Sequence, residues 1–194
     1  MKRFLLAGLL GFALLGGGLA AAQTYYGPPP SGGAPELAPV QSRAFFLGGA
    51  IGAGAIFESC DNCQDSSGGI AAEVHVGTML NGPLGLVLDA FMVGIPAQNN
   101  TTIYQTMISA GIQYYMGQRF FLRAGLALGY LDQENDNGDV LAVSETGYGL
   151  SAGAGYEIVQ APNWNVDLQL RLGVLNYSDI KLGNIGAMIG MNWY

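Results

Sequence analysis

The stretch NWNVDLQLRLGV, residues 163–174, alternates strictly between apolar and polar side chains. Successive side chains of a strand point to opposite faces, so this pattern predicts a β-strand with one apolar and one polar face. A soluble β-protein turns the polar face to water. A transmembrane β-barrel turns the apolar face to lipid and the polar face to its interior.

The N-terminus has the features of a secretory signal peptide. A basic pair, Lys2 and Arg3, precedes an apolar stretch that ends in a run of three alanines, a suitable cleavage site. We assign residues 1–22 to this signal peptide, with an uncleaved membrane anchor as the alternative. Residues 23–42 are rich in Pro, Gly and Ser, which predicts a disordered linker.

Past the signal peptide, no apolar run reaches the ~20 residues that a membrane helix needs. If the mature chain spans a membrane, it must do so with strands. Without Lys2 and Arg3, five basic residues face fourteen acidic ones, a net charge of −9 that argues against nucleic acid as a partner. A single remaining lysine, Lys181, is too few for the water-facing surface of a soluble β-protein.

From residue 43 onward the alternation predicts eight strands, with boundaries good to a few residues. They are 43–57, 69–80, 84–96, 104–116, 119–131, 146–159, 164–176 and 181–194. The short connections NGPL, GQ and QAPN alternate with the longer polar segments ESCDNCQDSSG, QNNTTI and DQENDNGDVLAVSE, with the shorter NYSDI last. Short turns at one end and longer loops at the other are typical of outer-membrane barrels.

Reading each strand by parity gathers the bulky apolar residues on one face. The other face carries glycine, small polar residues and every mid-strand charge: Glu73, His75, Asp89, Arg123, Glu157, Asp167 and Arg171. An eight-stranded barrel has an interior just wide enough for side chains, so we expect the polar face inside and bulky Leu, Ile and Phe outside. The sequence therefore predicts an all-β fold, an eight-stranded antiparallel up-and-down transmembrane β-barrel over residues 43–194.

With its signal peptide, eight strands, loop asymmetry and aromatic C-terminus IGAMIGMNWY, the chain resembles the small OmpA/OmpX-type outer-membrane β-barrels, including opacity-like porin-family proteins. The resemblance implies a monomer in a Gram-negative-type outer membrane, with extracellular loops and a periplasmic linker. It also implies contact with outer-membrane lipid and lipopolysaccharide, and recognition of the C-terminal strand by the barrel-assembly machinery. The C-terminus departs from the family pattern because outward parity ends on Trp193, with Tyr194 one step beyond.

The seven inward charges comprise four acids, two arginines and one histidine. Because an isolated buried charge is costly, we expect them to pair and hydrogen-bond into a plug across the barrel. A gate or a proton path is the alternative to such a fixed polar core.

Glu73 and His75 share a face on one strand, which allows a carboxylate–imidazole contact. A hydrolase or acyltransferase also needs a nucleophile beside them, and Ser109 points inward too. The lipid A deacylases, small barrels that are enzymes, place a His–Ser pair on the lipid-facing surface, whereas His75 lies on the lumen face. We therefore expect no enzyme.

Two loops carry candidate sites. Cys60 and Cys63, in SCDNC, predict a disulfide that pins the first long loop, with a redox-active pair as the alternative. The stretch DQENDNGD offers oxygen ligands for Ca²⁺ without the register of an EF-hand, and a solvated acidic loop is the other interpretation. The candidate ligands are Asp132, Glu134, Asp136 and Asp139.

These features predict a barrel with a plugged polar lumen and acidic extracellular loops, in a structural or adhesion-like surface-interaction role without a cofactor. A narrow pore for small solutes is the alternative function, and a lipid-modifying enzyme is a more distant one.

Overall fold

The computed structural model describes residues 44–58, 66–80, 82–97, 101–135, 140–143 and 146–194. The predicted signal peptide and linker, residues 1–42, lie outside this part of the chain. Within these ranges, no helix is both long and apolar enough to cross a membrane.

The described residues form one antiparallel β-sheet that closes on itself. Its strands are β1 (Phe45–Glu58), β2 (Ser66–Met79), β3 (Leu84–Ala97), β4 (Thr101–Met116), β5 (Phe120–Asn135), β6 (Val140–Val143), β7 (Gly147–Gln160), β8 (Trp164–Asn176) and β9 (Lys181–Trp193). The eight long strands pair in chain order, and β1 pairs with β9 to close the barrel. The predicted eight-stranded up-and-down barrel is confirmed.

The prediction that residues 132–145 form a loop is wrong in part. β5 continues to Asn135, which pairs with Thr101 of β4, and the short β6 pairs back onto β5 with Asp132 opposite Val143. The strand pairing therefore extends beyond the lipid-facing part of the barrel wall. Polar side chains are tolerated there because that part of a barrel wall faces water rather than lipid.

Glycine closes two of the short turns. Gly82, between β2 and β3, has φ of 63°, and Gly117, between β4 and β5, has φ of 76°. Both angles lie in the left-handed region, which strains residues that carry a Cβ. We call the end of the barrel with these turns the turn end, and the opposite end the loop end.

The two faces of the barrel wall differ sharply in exposure. Outward Leu126, Ile70 and Ile51 are 73%, 68% and 61% exposed, whereas inward Glu73 and Arg171 are 3% and 1% exposed. Contact with hydrocarbon is favourable for exposed apolar side chains and unfavourable for charged ones. As the sequence predicts, the outward face is apolar and the charged residues lie inside.

Candidate functional site: the barrel interior

All seven charged residues that the sequence places on the inner face have buried side chains in the barrel interior. The structure brings six of them together in the middle of the barrel and sets Glu157 apart. We call these six the ionic belt: Glu73, His75, Asp89, Arg123, Asp167 and Arg171.

Glu73, on β2, contacts three of the other belt residues. Its Oε1 lies 2.6 Å from Nη1 of Arg123 and 2.8 Å from Nδ1 of His75. Its Oε2 lies 2.8 Å from Nε of Arg171. One carboxylate thus ties β5 and β8 to β2 across the lumen, where water does not screen the attraction. Arg123 also donates from Nε to Oε1 of Gln113, at 2.5 Å.

Arg171 extends the belt to β3. Its Nη2 lies 2.5 Å from Oδ1 of Asp89, and the same oxygen accepts a hydrogen bond from Ser109 Oγ at 2.8 Å. The Ser109 hydroxyl is therefore held by a carboxylate and is not paired with the imidazole of His75. The inner face presents no serine–histidine pair at these positions.

Asp167 joins the belt through side-chain amides. Its Oδ2 accepts from Nδ2 of Asn192 at 2.6 Å, and its Oδ1 accepts from Nε2 of Gln169 at 2.8 Å. The same Asn192 amide contacts Nε2 of His75 through Oδ1 at 2.5 Å. The amide therefore bridges a carboxylate on β8 and the imidazole on β2.

Glu157 has its own donors near the turn end. Its Oε1 accepts from Tyr115 Oη at 2.9 Å and from Tyr194 Oη at 3.3 Å, and its Oε2 accepts from Gln160 Nε2 at 2.6 Å. Tyr194, the last residue, thus turns its hydroxyl inward, while the preceding Trp193 faces outward at 49% exposure.

Apolar side chains also fill the interior, although the sequence predicts glycine and small polar residues there and bulky Leu, Ile and Phe outside. That expectation is wrong for two clusters. The loop-end cluster contains Ile56, Ala71, Phe91, Val93, Ile95, Met107, Ala127, Leu175 and Met188. The turn-end cluster contains Phe46, Met79, Val87, Tyr115 and Phe121. The ionic belt lies between them, as β3 illustrates with Asp89 between Val87 and Phe91.

Inward glycines make room for these rings. A Cβ on Gly155 would lie 2.2 Å from Cζ of Phe121, its neighbour across the strand pair, and a Cβ on Gly186 would lie 2.8 Å from Cζ of Phe91. The inward parity of both phenylalanines can be read from the sequence. Which glycine makes room for each ring cannot, because the paired positions lie on different strands.

At the loop end, Tyr177 packs against the loop-end cluster from the connection between β8 and β9. Its Oη accepts a hydrogen bond from Nε2 of Gln105 at 3.4 Å, and its ring occupies the space beside Gly147. Burial raises the pKa of Tyr177 above its ordinary value, and the hydrogen bond from Gln105 opposes that rise. The site thus favours the neutral phenol.

The predicted disulfide and calcium ligands fall largely outside the described residues. Four of them lie there: Cys60, Cys63, Asp136 and Asp139. The other two, Asp132 and Glu134, lie on β5. Within the part of the chain that the structure describes, no group of three or more histidine, cysteine or carboxylate side chains is placed to hold a metal ion.

The comparisons with known proteins give one family and a set of similar folds. The family model for the outer membrane protein beta-barrel domain matches residues 11–192. The crystal structure of Neisserial surface protein A (NspA) is 19% identical with a TM-score of 0.62, over 77% of this chain and 96% of that one. The attachment invasion locus protein Ail of Yersinia pestis is 13% identical with a TM-score of 0.50, over 77% and 99%. Among curated proteins, no sequence match was found.

Proposed function

Because this chain belongs to the outer membrane protein beta-barrel domain family, we propose that it is a structural and surface-interaction protein whose lumen is closed. The layered interior supports this proposal. A solute crossing the barrel would have to displace the paired charges of the ionic belt and pass the loop-end and turn-end clusters. Family membership places the barrel in the outer membrane. Which end faces the exterior is part of the proposal.

We place the loop end outside the cell, where its charge would act on a partner. Among the described residues near this end, four acidic residues accompany one lysine: Glu58, Asp132, Glu134, Asp179 and Lys181. An excess of one sign of charge steers partners of the opposite sign and suppresses like-charged ones. A partner with a basic surface fits this end of the barrel.

The names of the similar barrels agree with a role at the cell surface. NspA is named as a surface protein and Ail as an attachment invasion locus protein. At these identities the two share the fold with this chain, and an adhesion-like role is our proposal. The proposal includes lipid and lipopolysaccharide against the outward face, and recognition by the barrel-assembly machinery of β9, whose outward row ends in Trp193.

Planar-bilayer recording tests the closed lumen. We expect the purified, refolded barrel to give no sustained, well-defined conductance steps, because the ionic belt spans the interior. The Arg171→Ala/Phe91→Ala double variant, which removes one cation of the belt and one ring of the loop-end cluster, is the positive control and should give conductance steps. Stable steps from the wild-type barrel would overturn the closed lumen and favour the narrow pore for small solutes.

The surface role is tested on intact cells. Cells of a Gram-negative host that express the barrel should adhere to epithelial monolayers more than cells with the empty vector. An Asp179→Asn/Glu134→Gln variant should adhere less, because it loses two carboxylates from the proposed partner surface. Equal amounts of folded barrel, measured by the heat-dependent mobility shift on gels, are the matched control. Equal adhesion by all three strains would contradict the role.

No catalytic role is proposed. The hydroxyl of Ser109 is bound to Asp89, and the imidazole of His75 is enclosed by Glu73, Arg123 and Asn192. Neither group is arranged to attack a lipid on the outer face of the barrel.

A further inference from the structure

The chain has one histidine, and its ring lies within the ionic belt. Nδ1 of His75 lies 2.8 Å from Oε1 of Glu73, a carboxylate oxygen that accepts hydrogen bonds. Nε2 of His75 lies 2.5 Å from the side-chain oxygen of Asn192. Which ring nitrogen carries a proton therefore depends on whether each of these two partners donates or accepts a hydrogen bond.

The other contacts of Asn192 fix the orientation of its amide. Its Nδ2 lies 2.6 Å from Oδ2 of Asp167 and 2.6 Å from Oδ1 of Asn165, and both oxygens are acceptors. The amide nitrogen must stay on that side, because turning it over would place an oxygen against a carboxylate. Oδ1 of Asn192 is then left facing His75, and Nε2 must donate to it.

Nδ1 of His75 thus faces a carboxylate oxygen, and Nε2 faces Oδ1 of Asn192 at 2.5 Å and, farther away, the donor Nη2 of Arg123 at 3.2 Å. A singly protonated ring would set a nitrogen lone pair against one of the two nearer oxygens, and the doubly protonated ring avoids this repulsion. We propose that His75 is a proton-binding site in the lumen, held as an imidazolium that serves as the third cation of the ionic belt. With this proton the belt holds three carboxylates and three cations. The proposal rests on the contacts of the belt and does not depend on whether the lumen conducts.

The surroundings of the ring agree with this charge balance. The groups around it, strand by strand, are Phe46 of β1, Glu73 of β2, Asp89 of β3, Arg123 of β5, Asp167 and Arg171 of β8, and Asn192 of β9. Nη2 of Arg123 lies 3.2 Å from Nε2 of His75, a contact between two cations. Oε1 of Glu73 touches both cations and offsets their repulsion.

A single histidine makes the test direct. The full chain, labelled with ¹⁵N-histidine and refolded in detergent micelles, gives the nitrogen signals of His75 alone in a long-range ¹H–¹⁵N correlation spectrum. At pH 7 we expect both ring nitrogens to have the closely similar shifts of an imidazolium. Two widely separated nitrogen shifts, the mark of a neutral ring, would overturn the proposal and would indicate a turned Asn192 beside a protonated Asp167.

Asp167→Asn provides a second, independent readout. This isosteric change removes one carboxylate, so Glu73 and Asp89 are balanced by the two arginines. It also removes the anion that orients the amide of Asn192, so this amide can turn and donate from Nδ2 to Nε2 of a neutral ring. We expect His75 to become neutral in this variant, with its nitrogen shifts moving apart. Ser109→Ala, the matched control, removes a hydrogen bond to the belt without a charge and should leave the imidazolium signals in place. An unchanged imidazolium in Asp167→Asn would contradict the charge balance.

Discussion

Arg171→Ala is expected to destabilise the folded barrel by about 3–5 kcal/mol, the usual cost of removing one partner from a buried ion pair. Nε of Arg171 lies 2.8 Å from Oε2 of Glu73, and its Nη2 lies 2.5 Å from Oδ1 of Asp89. The substitution leaves both carboxylates with fewer cations in a site that water does not reach. A urea titration in detergent, read by the mobility of folded and unfolded protein on gels, measures the change. Arg123→Ala, which removes the 2.6 Å contact with Glu73, should act in the same direction.

Arg119→Ala is the matched control for both substitutions. Arg119 lies in the turn between β4 and β5, and its Nη1 reaches the backbone oxygen of Glu157 at 3.5 Å, a weak contact. Its loss should change the stability by less than about 1 kcal/mol. Adding Glu73→Gln to Arg171→Ala should restore part of the lost stability, because it removes one of the carboxylates that the first substitution leaves without its cation. If Arg171→Ala and Arg123→Ala both unfold at the wild-type urea concentration, the belt is not what stabilises the interior.

The wall of the barrel could be predicted from the sequence because a two-residue period and a lipid-facing surface constrain it together. β8, predicted over residues 164–176, has these bounds in the structure. Parity alone placed Glu73 and Arg171 on the inner face. That they touch could not be predicted, because the contact between β2 and β8 depends on the closure of the sheet and on the side-chain conformations inside it.

Two parts of the structure could not be predicted from the two-residue period of the sequence, each for a physical reason. Phe91 has inward parity on β3, but its ring lies beside Gly186 of β9, a strand far away in the sequence, so no local pattern indicates the space that it fills. β6 lies in a stretch whose acidic residues are typical of loops. The pairing of Asn135 with Thr101 extends β5 regardless of its polarity, because backbone hydrogen bonds decide the pairing where the wall leaves the lipid.

The second large effect is expected on the outer face, where Leu126→Arg should cost about 2–4 kcal/mol. Leu126 is 73% exposed and lies mid-strand on β5, opposite Ala110 of β4 and Leu150 of β7. On a water-facing surface the same change would be nearly neutral, within about 0.5 kcal/mol. The difference arises because the guanidinium must leave water for hydrocarbon. Urea titration of the barrel in lipid bilayers, where a membrane-spanning face contacts acyl chains, gives the measurement.

Ile180→Arg separates this lipid effect from a general intolerance of arginine. Ile180 is 40% exposed and lies in the connection between β8 and β9, outside the strands, so its arginine should remain in water at little cost. A large loss for Leu126→Arg with almost none for Ile180→Arg locates the hydrocarbon on the bulky face of β5. Equal and small losses would mean that this face meets water. The bulky face would then not be the membrane-spanning surface, and the assignment of the apolar face to lipid would be wrong.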